Sequence, residues 1–584
     1  MDGPLWARNP REENEAVAEH LKANLTDLAQ YYHAEAQKDG EKSDYQQAAN
    51  WYRKYMAYFP GEADTANTNF LLAEILFESD EFSAAVTEYE RTAYGYPFHE
   101  KSAEAGYAAI LAYREHEAKL ADGQAKDTWH QAYLDSGLRF ADTYPEHPES
   151  GAVLTTVAED LFSQDQFDLA IAVGQAVVGK QPPVKPEQSR TAWTVIAHSQ
   201  FDLANFADAE NAYYSLRNFT PADDAAANQD IKDRIASSIY KQGEQARDAG
   251  DLETAITHFT RLGEVVPDSD IRVTADYDAA AALINLQAWD RASAQLENFR
   301  RDYPDSEFAD DITQKLAVTY LGSGRTGQAA AEFERIADTA TSTDDVRREA
   351  LWKASELYEQ SGTISSEQRV LNNIIARYPN PIAESIEARA RLLKIAEDTG
   401  NEQERVARLE ELVRVDATAG VERSDRTRYL AATASLQLAE PVRKRFEVVQ
   451  LTQPLAESLK LKKDLMEDVI SAYTGAAEYG VAEVTTAATF RLGEVYEQFS
   501  SDLMESDRPT SLEADALEQY EILLEEQAYP FEEKAIDLYK ANSDRAADGV
   551  YDDWVEKSFD RLAGLMPARY AKKERGEDVV TAPY

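Results

Sequence analysis

Three groupings in this chain have residue types and spacings that can do chemistry. Gly322-Ser323-Gly324-Arg325-Thr326-Gly327 spells G-x-G-x-x-G, which cradles a pyrophosphate when a strand leads into it and a helix opens after it. Here Ile312 to Tyr320 has helical spacing and no β-α-β pattern surrounds the glycines, so they are expected to form a turn between two helices. The eight histidines are scattered one or two per helix pair, whereas a catalytic zinc needs three protein ligands converging on one point. His116-Glu117 comes nearest to H-E-x-x-H, and Leu120 stands where the second histidine belongs. With 107 Asp and Glu residues, any single carboxylate pair is uninformative. The third grouping is basic: Arg443-Lys444-Arg445 followed by Lys460, Lys462 and Lys463. It reads as a solvated helix face, or as a dock for an acidic partner or the acidic body of another copy. No nucleophile, base and orienting group stand together. The expectation is therefore no enzyme, no cofactor and no metal, with an enzyme site after residue 422 as the remote alternative.

The elements that position these residues are visible in the stretch from Asp233 to Pro267. Ile235, Ala236, Ile239, Tyr240, Gly243 and Ala246 recur at three and four residues and share one side of a helix. Ala249-Gly250-Asp251 breaks it, Leu252, Ala255, Ile256, Phe259 and Leu262 restart the period, and Pro267 ends it because proline has no amide hydrogen for another turn. Fifteen, twelve and eight residues before the proline stand Leu252, Ala255 and Phe259. The same offsets give Tyr45, Ala48 and Tyr52 before Pro60, and Phe82, Ala85 and Tyr89 before Pro97. They give Phe206, Ala209 and Tyr213 before Pro221, and Trp289, Ala292 and Leu296 before Pro304. Thr341 lacks the proline yet keeps Thr326, Ala329 and Phe333 in phase. Closing positions fall at 60, 97, 145, 182, 221, 267, 304, 341, 379 and about 418, mostly 37 to 39 residues apart. The repeating unit is helix, turn, helix, stop.

This template resembles the tetratricopeptide repeat family, whose units combine a large, a small and an aromatic residue in the first helix with Ala, an aromatic and a closing Pro in the second. Trp193 and Ala197 match in the unit ending at Pro221, and Gly243, Ala255, Phe259 and Pro267 in the next. Tyr320 and Tyr358 match the first-helix aromatic later on. Departures occur at Tyr55, Leu262 and Phe299, where a small residue is expected, and at Glu367, where Ala is expected. The resemblance covers residues 44 to 418. Tyr96-Pro97, Tyr144-Pro145, Tyr303-Pro304 and Tyr378-Pro379 are similar to the Tyr-Pro-ended repeats of bacterial cell-envelope scaffold proteins.

The resemblance implies an all-α, right-handed α-solenoid of about ten helix pairs followed by an irregular helical cap. The expected division is a flexible leader at 1–10, repeats at 11–422, an irregular helical region at 423–570 and a disordered tail at 571–584. Residues 423 to 480 read as continuous helix, and the first helix is expected to carry Val17, Leu21, Leu25, Leu28 and Tyr32 on its packed side. In the family the first helices line a concave groove, so residues 27 and 20 before the closing positions should face a partner. Those are Phe70, Phe77, Phe162, Phe201, Tyr240, Tyr277 and Trp352. Aromatics at helical spacing also pack against their own neighbours, which is the competing reading.

Length and composition fit this picture. A solenoid packs each unit only on its neighbours, so 584 residues need not split into globular domains. Sixty basic against 107 acidic residues give a formal charge of -47, which disfavours nucleic acid and anionic lipid surfaces. Solubility or salt adaptation explains that charge, and a basic partner is the sharper alternative. The chain has no cysteine, which excludes disulfides and thiol chemistry and fits cytoplasm and periplasm equally. No 18-residue apolar run occurs. Met1-Asp2-Gly3-Pro4 reads as the loop-like start of a domain cut from a longer precursor. The expected function is a scaffold holding a protein or peptide partner in the periplasm or cell envelope, with a cytoplasmic regulator or co-chaperone as the alternative.

Overall fold

Small and large residues alternate at three and four positions through most of the sequence, and each such stretch closes into a helix. The structure is a computed structural model that describes residues 15–339 and 341–572. The expected leader at 1–10 lies outside the described residues, as does the expected tail apart from Ala571 and Lys572. No strand occurs among the described residues, and the fold is an all-α solenoid of stacked helix pairs. It forms two compact units that divide between Ala288 and Trp289.

The first unit holds α1 (Glu15–Asp39), α2 (Lys42–Tyr58), α3 (Thr65–Glu78), α4 (Phe82–Tyr94), α5 (Ser102–Ala118), α6 (Gln124–Thr143) and α7 (Ser150–Ser163). It continues with α8 (Phe167–Val178), α9 (Pro186–Asp202), α10 (Phe206–Phe219), α11 (Ala225–Asp248), α12 (Leu252–Val265) and α13 (Ile271–Asn285). Odd-numbered helices are the first of each pair. Consecutive helices pack on one another, and first helices also meet across pairs, α7 on α9 and α11 on α13.

The 233–267 repeat shows why the pairs close. Gly250 takes φ +82°, a left-handed conformation that glycine adopts without a Cβ penalty. The Asp251 carboxylate then accepts the Thr254 amide at 3.1 Å and caps α12. Ile235, Ala236, Ile239 and Gly243 of α11 are buried against Ala255, Ile256, Phe259 and Leu262 of α12. A Cβ built on Gly243 would sit 2.5 Å from the Phe259 ring, so the hydrogen at this position is what lets the helices meet. Burying one such ring contributes about 1.5–3 kcal/mol.

The second unit holds α14 (Trp289–Asp302), α15 (Ala309–Gly322), α16 (Thr326–Asp338), α17 (Asp344–Ser361), α18 (Ile364–Arg377), α19 (Ile382–Asp398) and α20 (Glu402–Thr418). After these come α21 (Asp425–Glu447), α22 (Leu455–Ala477), α23 (Ala482–Met504), α24 (Ala514–Asp544), α25 (Asp553–Leu565) and α26 (Pro567–Tyr570). The same close approach recurs: a Cβ on Gly322 would meet Trp289 at 2.6 Å, and one on Gly493 would meet Tyr539 at 2.5 Å. The G-x-G-x-x-G segment spans the end of α15, a turn with Gly324 at φ +73° and the start of α16. No strand leads into it, so it lacks the frame that presents a pyrophosphate to a helix N-terminus.

Two expectations about helices are corrected. The packed side of α1 is Ala18, Leu25, Ala29, His33 and Ala36, whereas Val17 and Leu28 are exposed. Leu21 and Tyr32 pack partly against the same core as expected, the small Ala18, Ala29 and Ala36 let α1 lie close to α2, and the buried His33 ring nitrogen is hydrogen-bonded to the Tyr52 hydroxyl at 3.1 Å. The supposed continuous helix of 423 to 480 is two helices, broken between Glu447 and Leu455. Pro454 forces extended backbone before itself and takes the N-cap position of α22 with ψ 120°. Pro441 and Pro530, by contrast, stay inside α21 and α24.

Candidate functional site: the first-helix face

In the first unit, Phe70, Phe77, Phe162, Phe201 and Tyr240 sit on the seam between each first helix and the second helix behind it. Phe70 is buried and tilts on Tyr89 at 5.9 Å, and the Lys101 ammonium lies 5.1 Å from its ring centre. Phe77 meets Phe82 edge-on at 5.1 Å, and Phe201 meets Phe206 in the same way at 5.1 Å. Phe162 touches Phe167 at 5.7 Å and reaches the neighbouring first helix at His198, 6.0 Å away. Burial, and then the Arg234 guanidinium of α11, push the His198 pKa down, which keeps this imidazole neutral at neutral pH. Tyr240 rests on Phe259 at 5.4 Å and donates its hydroxyl to Asp278 of α13 at 2.8 Å. Arg247 donates to the same carboxylate at 3.3 Å. Tyr277 stands beside Asp278 on α13 and is half-buried. Phe77, Phe162, Phe201, Tyr240 and Tyr277 are all half-buried, so each keeps one part of its ring fixed by packing and another part in solvent.

In the second unit, Trp352 of α17 is half-buried too, and charge replaces aromatics around it. Arg348 of α17 pairs with Glu384 of α19 at 3.1 Å. Arg391 of α19 returns to Glu359 of α17 and donates to Ser355 Oγ at 3.2 Å. Arg426 of α21 forks onto Glu387 of α19 at 2.7 and 3.0 Å. Fork geometry fixes orientation as well as charge. Adjacent first helices are thus cross-linked, and the first-helix face is a patterned surface rather than a uniformly acidic one.

Residue types alone did not reveal the struts behind this face. Tyr113 donates to Glu90 at 3.2 Å, Tyr320 to Glu297 at 2.7 Å and Tyr358 to Glu334 at 2.6 Å. Each joins a first helix to the second helix of the pair before it. The three glutamates stand seven residues before the closing positions 97, 304 and 341, and that recurrence was the available signal. Burial first, and then the carboxylate, push Tyr320 and Tyr358 up to about 12. Glu332 and Glu210 are buried charges held by arginine forks: Arg300 reaches Glu332 at 2.9 and 2.6 Å, and Arg261 reaches Glu210 at 3.1 and 2.9 Å.

The basic run does not form one face. Arg443 is taken up by Glu440 and Glu447. Lys462 is fully buried, paired with Asp502, donating to the Val449 carbonyl at 2.7 Å and lying 4.5 Å from the Phe446 ring centre. Among the described residues no three His, Asp or Glu side chains converge as a metal site, and no helix is long and apolar enough to cross a membrane.

Residues 237–269 match the sequence profile of the tetratricopeptide repeat. No curated protein matches the chain. Similar solved structures include Naa15/Naa10 bound to HypK-THB, at 12% identity over 94% of this chain and 89% of that one with a TM-score of 0.29. The P58(IPK) TPR domain is 15% identical over 60% of this chain and 98% of its own, with a TM-score of 0.20. A tetratricopeptide repeat protein from Parabacteroides merdae ATCC 43184 is 14% identical over 48% and 98%, also with a TM-score of 0.20. The matched repeat is the one whose closure on Gly243 and Phe259 is described above, and its helix-turn-helix form recurs from α1 to α20; residues 237–269 are thus similar to a tetratricopeptide repeat in sequence and have its helix-turn-helix form.

Proposed function

We propose that the protein is a non-enzymatic scaffold that holds a protein or peptide partner on its first-helix face, within a bacterial cell-envelope complex. The observation that carries this reading is the set of half-buried aromatics at Phe77, Phe162, Phe201, Tyr240 and Tyr277, the first four clamped from behind by a second-helix ring, and Tyr240 by the Asp278 carboxylate as well. A ring already fixed in one orientation loses little entropy when a partner covers its free part, which is why such residues act as anchors. The acidic excess of 107 against 60 favours a basic partner, which it would attract over a distance of about one Debye length, roughly 8 Å at physiological salt. The envelope setting rests on the Tyr-Pro repeat ends and is tested by fractionating the native host.

Binding is tested with the partner captured by the full chain, identified by mass spectrometry and then isolated. Tyr240→Ala, Tyr277→Ala and Trp352→Ala combined should weaken it by more than about 2 kcal/mol, the hot-spot scale. Because Tyr240 also holds Asp278 and Phe259, melting is followed alongside. Asp248→Lys, an exposed charge reversal two turns along the same stripe of α11 as Tyr240, supplies a variant with no packing to lose and should repel a basic partner. Full affinity in both variants refutes the reading.

A further inference from the structure

Beyond the repeats, α22, α23 and α24 leave an apolar cleft of about 240 Å³. Leu455, Leu459 and Lys463 of α22 form one wall, Leu503 of α23 the floor, and Leu523 and Phe531 of α24 the other wall. The three residues on α22 lie four apart, along one stripe of the helix. The α24 wall belongs to the less buried half of that helix: from Ala514 to Gln527 Leu524 alone is buried, while Ala528, Ala535 and Tyr539 pack tightly further on. Leu523 is 57% exposed, and Ile522 and Met504 nearby are exposed as well. Apolar surface left in water is unfavourable in proportion to its area, and a patch of this kind beside a cleft marks an interaction surface.

Charge indicates what fits there. Lys460 and Lys463 stand one turn apart on α22, both exposed, and neither forms an ion pair among the described residues. Their neighbour Lys462 is turned inward onto Asp502. In a chain with 107 acidic residues, an unpaired lysine lining an apolar cleft, Lys463, with Lys460 one turn before it on the same helix, is complementary to an acidic flank. The walls are helices and offer no strand edge, so the recognition mode that suits them is a helix laid into a groove. We propose that this cleft docks an amphipathic helix of a partner protein, whose large apolar residues at three- and four-residue spacing fill the cleft while an acidic residue beside them meets Lys460 and Lys463. This site is separate in sequence and chemistry from the first-helix face and does not depend on it.

The test uses the full chain and a fluorescein-labelled synthetic peptide of about 18 residues, long enough to be helical, with leucines at i, i+3, i+4 and i+7 flanked by glutamates. Fluorescence anisotropy should show saturable binding. Leu523→Asp should weaken it at least about tenfold, and Lys460→Glu with Lys463→Glu should do the same, a change of about 1.4 kcal/mol. A second peptide with lysines in place of the glutamates should bind the charge-reversed variant more tightly than the unaltered chain. All three substitutions are at exposed positions, and helical circular dichroism checks that the variants fold. No binding of the first peptide, or binding unaffected by the three substitutions, overturns the proposal. Sedimentation that shows a concentration-dependent dimer lost in Leu523→Asp overturns it too, because it assigns the cleft to a second copy of the chain.

Discussion

Replacing Gly243 with alanine sets two opposed effects against each other in one repeat. In a solvent-facing helix the change would stabilise by about 1 kcal/mol, the difference in helix propensity. Here the new Cβ would lie 2.5, 2.7 and 3.0 Å from three carbons of the Phe259 ring, against an optimum of about 3.5–4.0 Å. The ring has nowhere to go, since Phe259 is fully buried and Tyr240 packs on it at 5.4 Å. With three ring carbons at or under 3.0 Å, the overpacking cost falls in the upper part of its usual range, about 2–3 kcal/mol, so the net expectation is a loss of about 1–2 kcal/mol. Gly475 in α22 supplies the contrast, because a Cβ there meets nothing within 4 Å. Alanine at Gly475 should stabilise by up to about 1 kcal/mol. A repeat array does not unfold as one cooperative block, so the readout is native-state hydrogen exchange, helix by helix. Amides of α11 and α12 should lose roughly 5- to 30-fold protection in Gly243→Ala, and those of α22 should gain in Gly475→Ala. Unchanged or increased protection in α11 and α12 would refute the packing argument.

Tyr320 and Tyr358, raised to about 12, keep a proton that an unfolded phenol releases near pH 10. Their contribution to stability is therefore complete below pH 10 and is lost as pH rises from 10 to about 12; tyrosinate absorbance should lag until the helices melt. Tyr320→Phe leaves Glu297 without its 2.7 Å donor and should cost about 1–2 kcal/mol, read as faster exchange in α14 and α15. Asp502→Asn strands the fully buried Lys462 ammonium and should cost about 3–5 kcal/mol, with α22 and α23 losing protection together. Ala255→Leu, at a fully buried contact, should cost about 1–3 kcal/mol and lower the first unfolding transition in calorimetry.

The helix pairs were legible because their closure depends on residue types that recur in register. Ala48, Ala85, Ala209, Ala255 and Ala292 are all fully buried, and the residues four positions later, Tyr52, Tyr89, Tyr213, Phe259 and Leu296, are buried beside them. What stayed hidden depends on partners far apart in sequence. Glu297 and Tyr320 are 23 residues apart, and nothing marks either one among 107 acids and 31 tyrosines. At position 333 the period predicts a core Phe, yet the neighbouring Glu332 is the more buried residue because Arg300 neutralises it from α14. Lys462 reads as part of a basic run until Asp502, 40 residues on, is seen to draw it inward. The period places these aromatics on first helices, but whether a ring faces solvent or its second-helix neighbour depends on packing that a period alone does not encode.

Site-specific photocrosslinking in the native host tests the scaffold reading most directly. A benzophenone side chain at Lys241, exposed on the first helix of the 233–267 repeat, is compared with one at Thr257, exposed on its second helix. The account predicts a discrete adduct with one partner at position 241, weakened by Tyr240→Ala and Tyr277→Ala, and none at position 257. An adduct at 257 and none at 241 would contradict it.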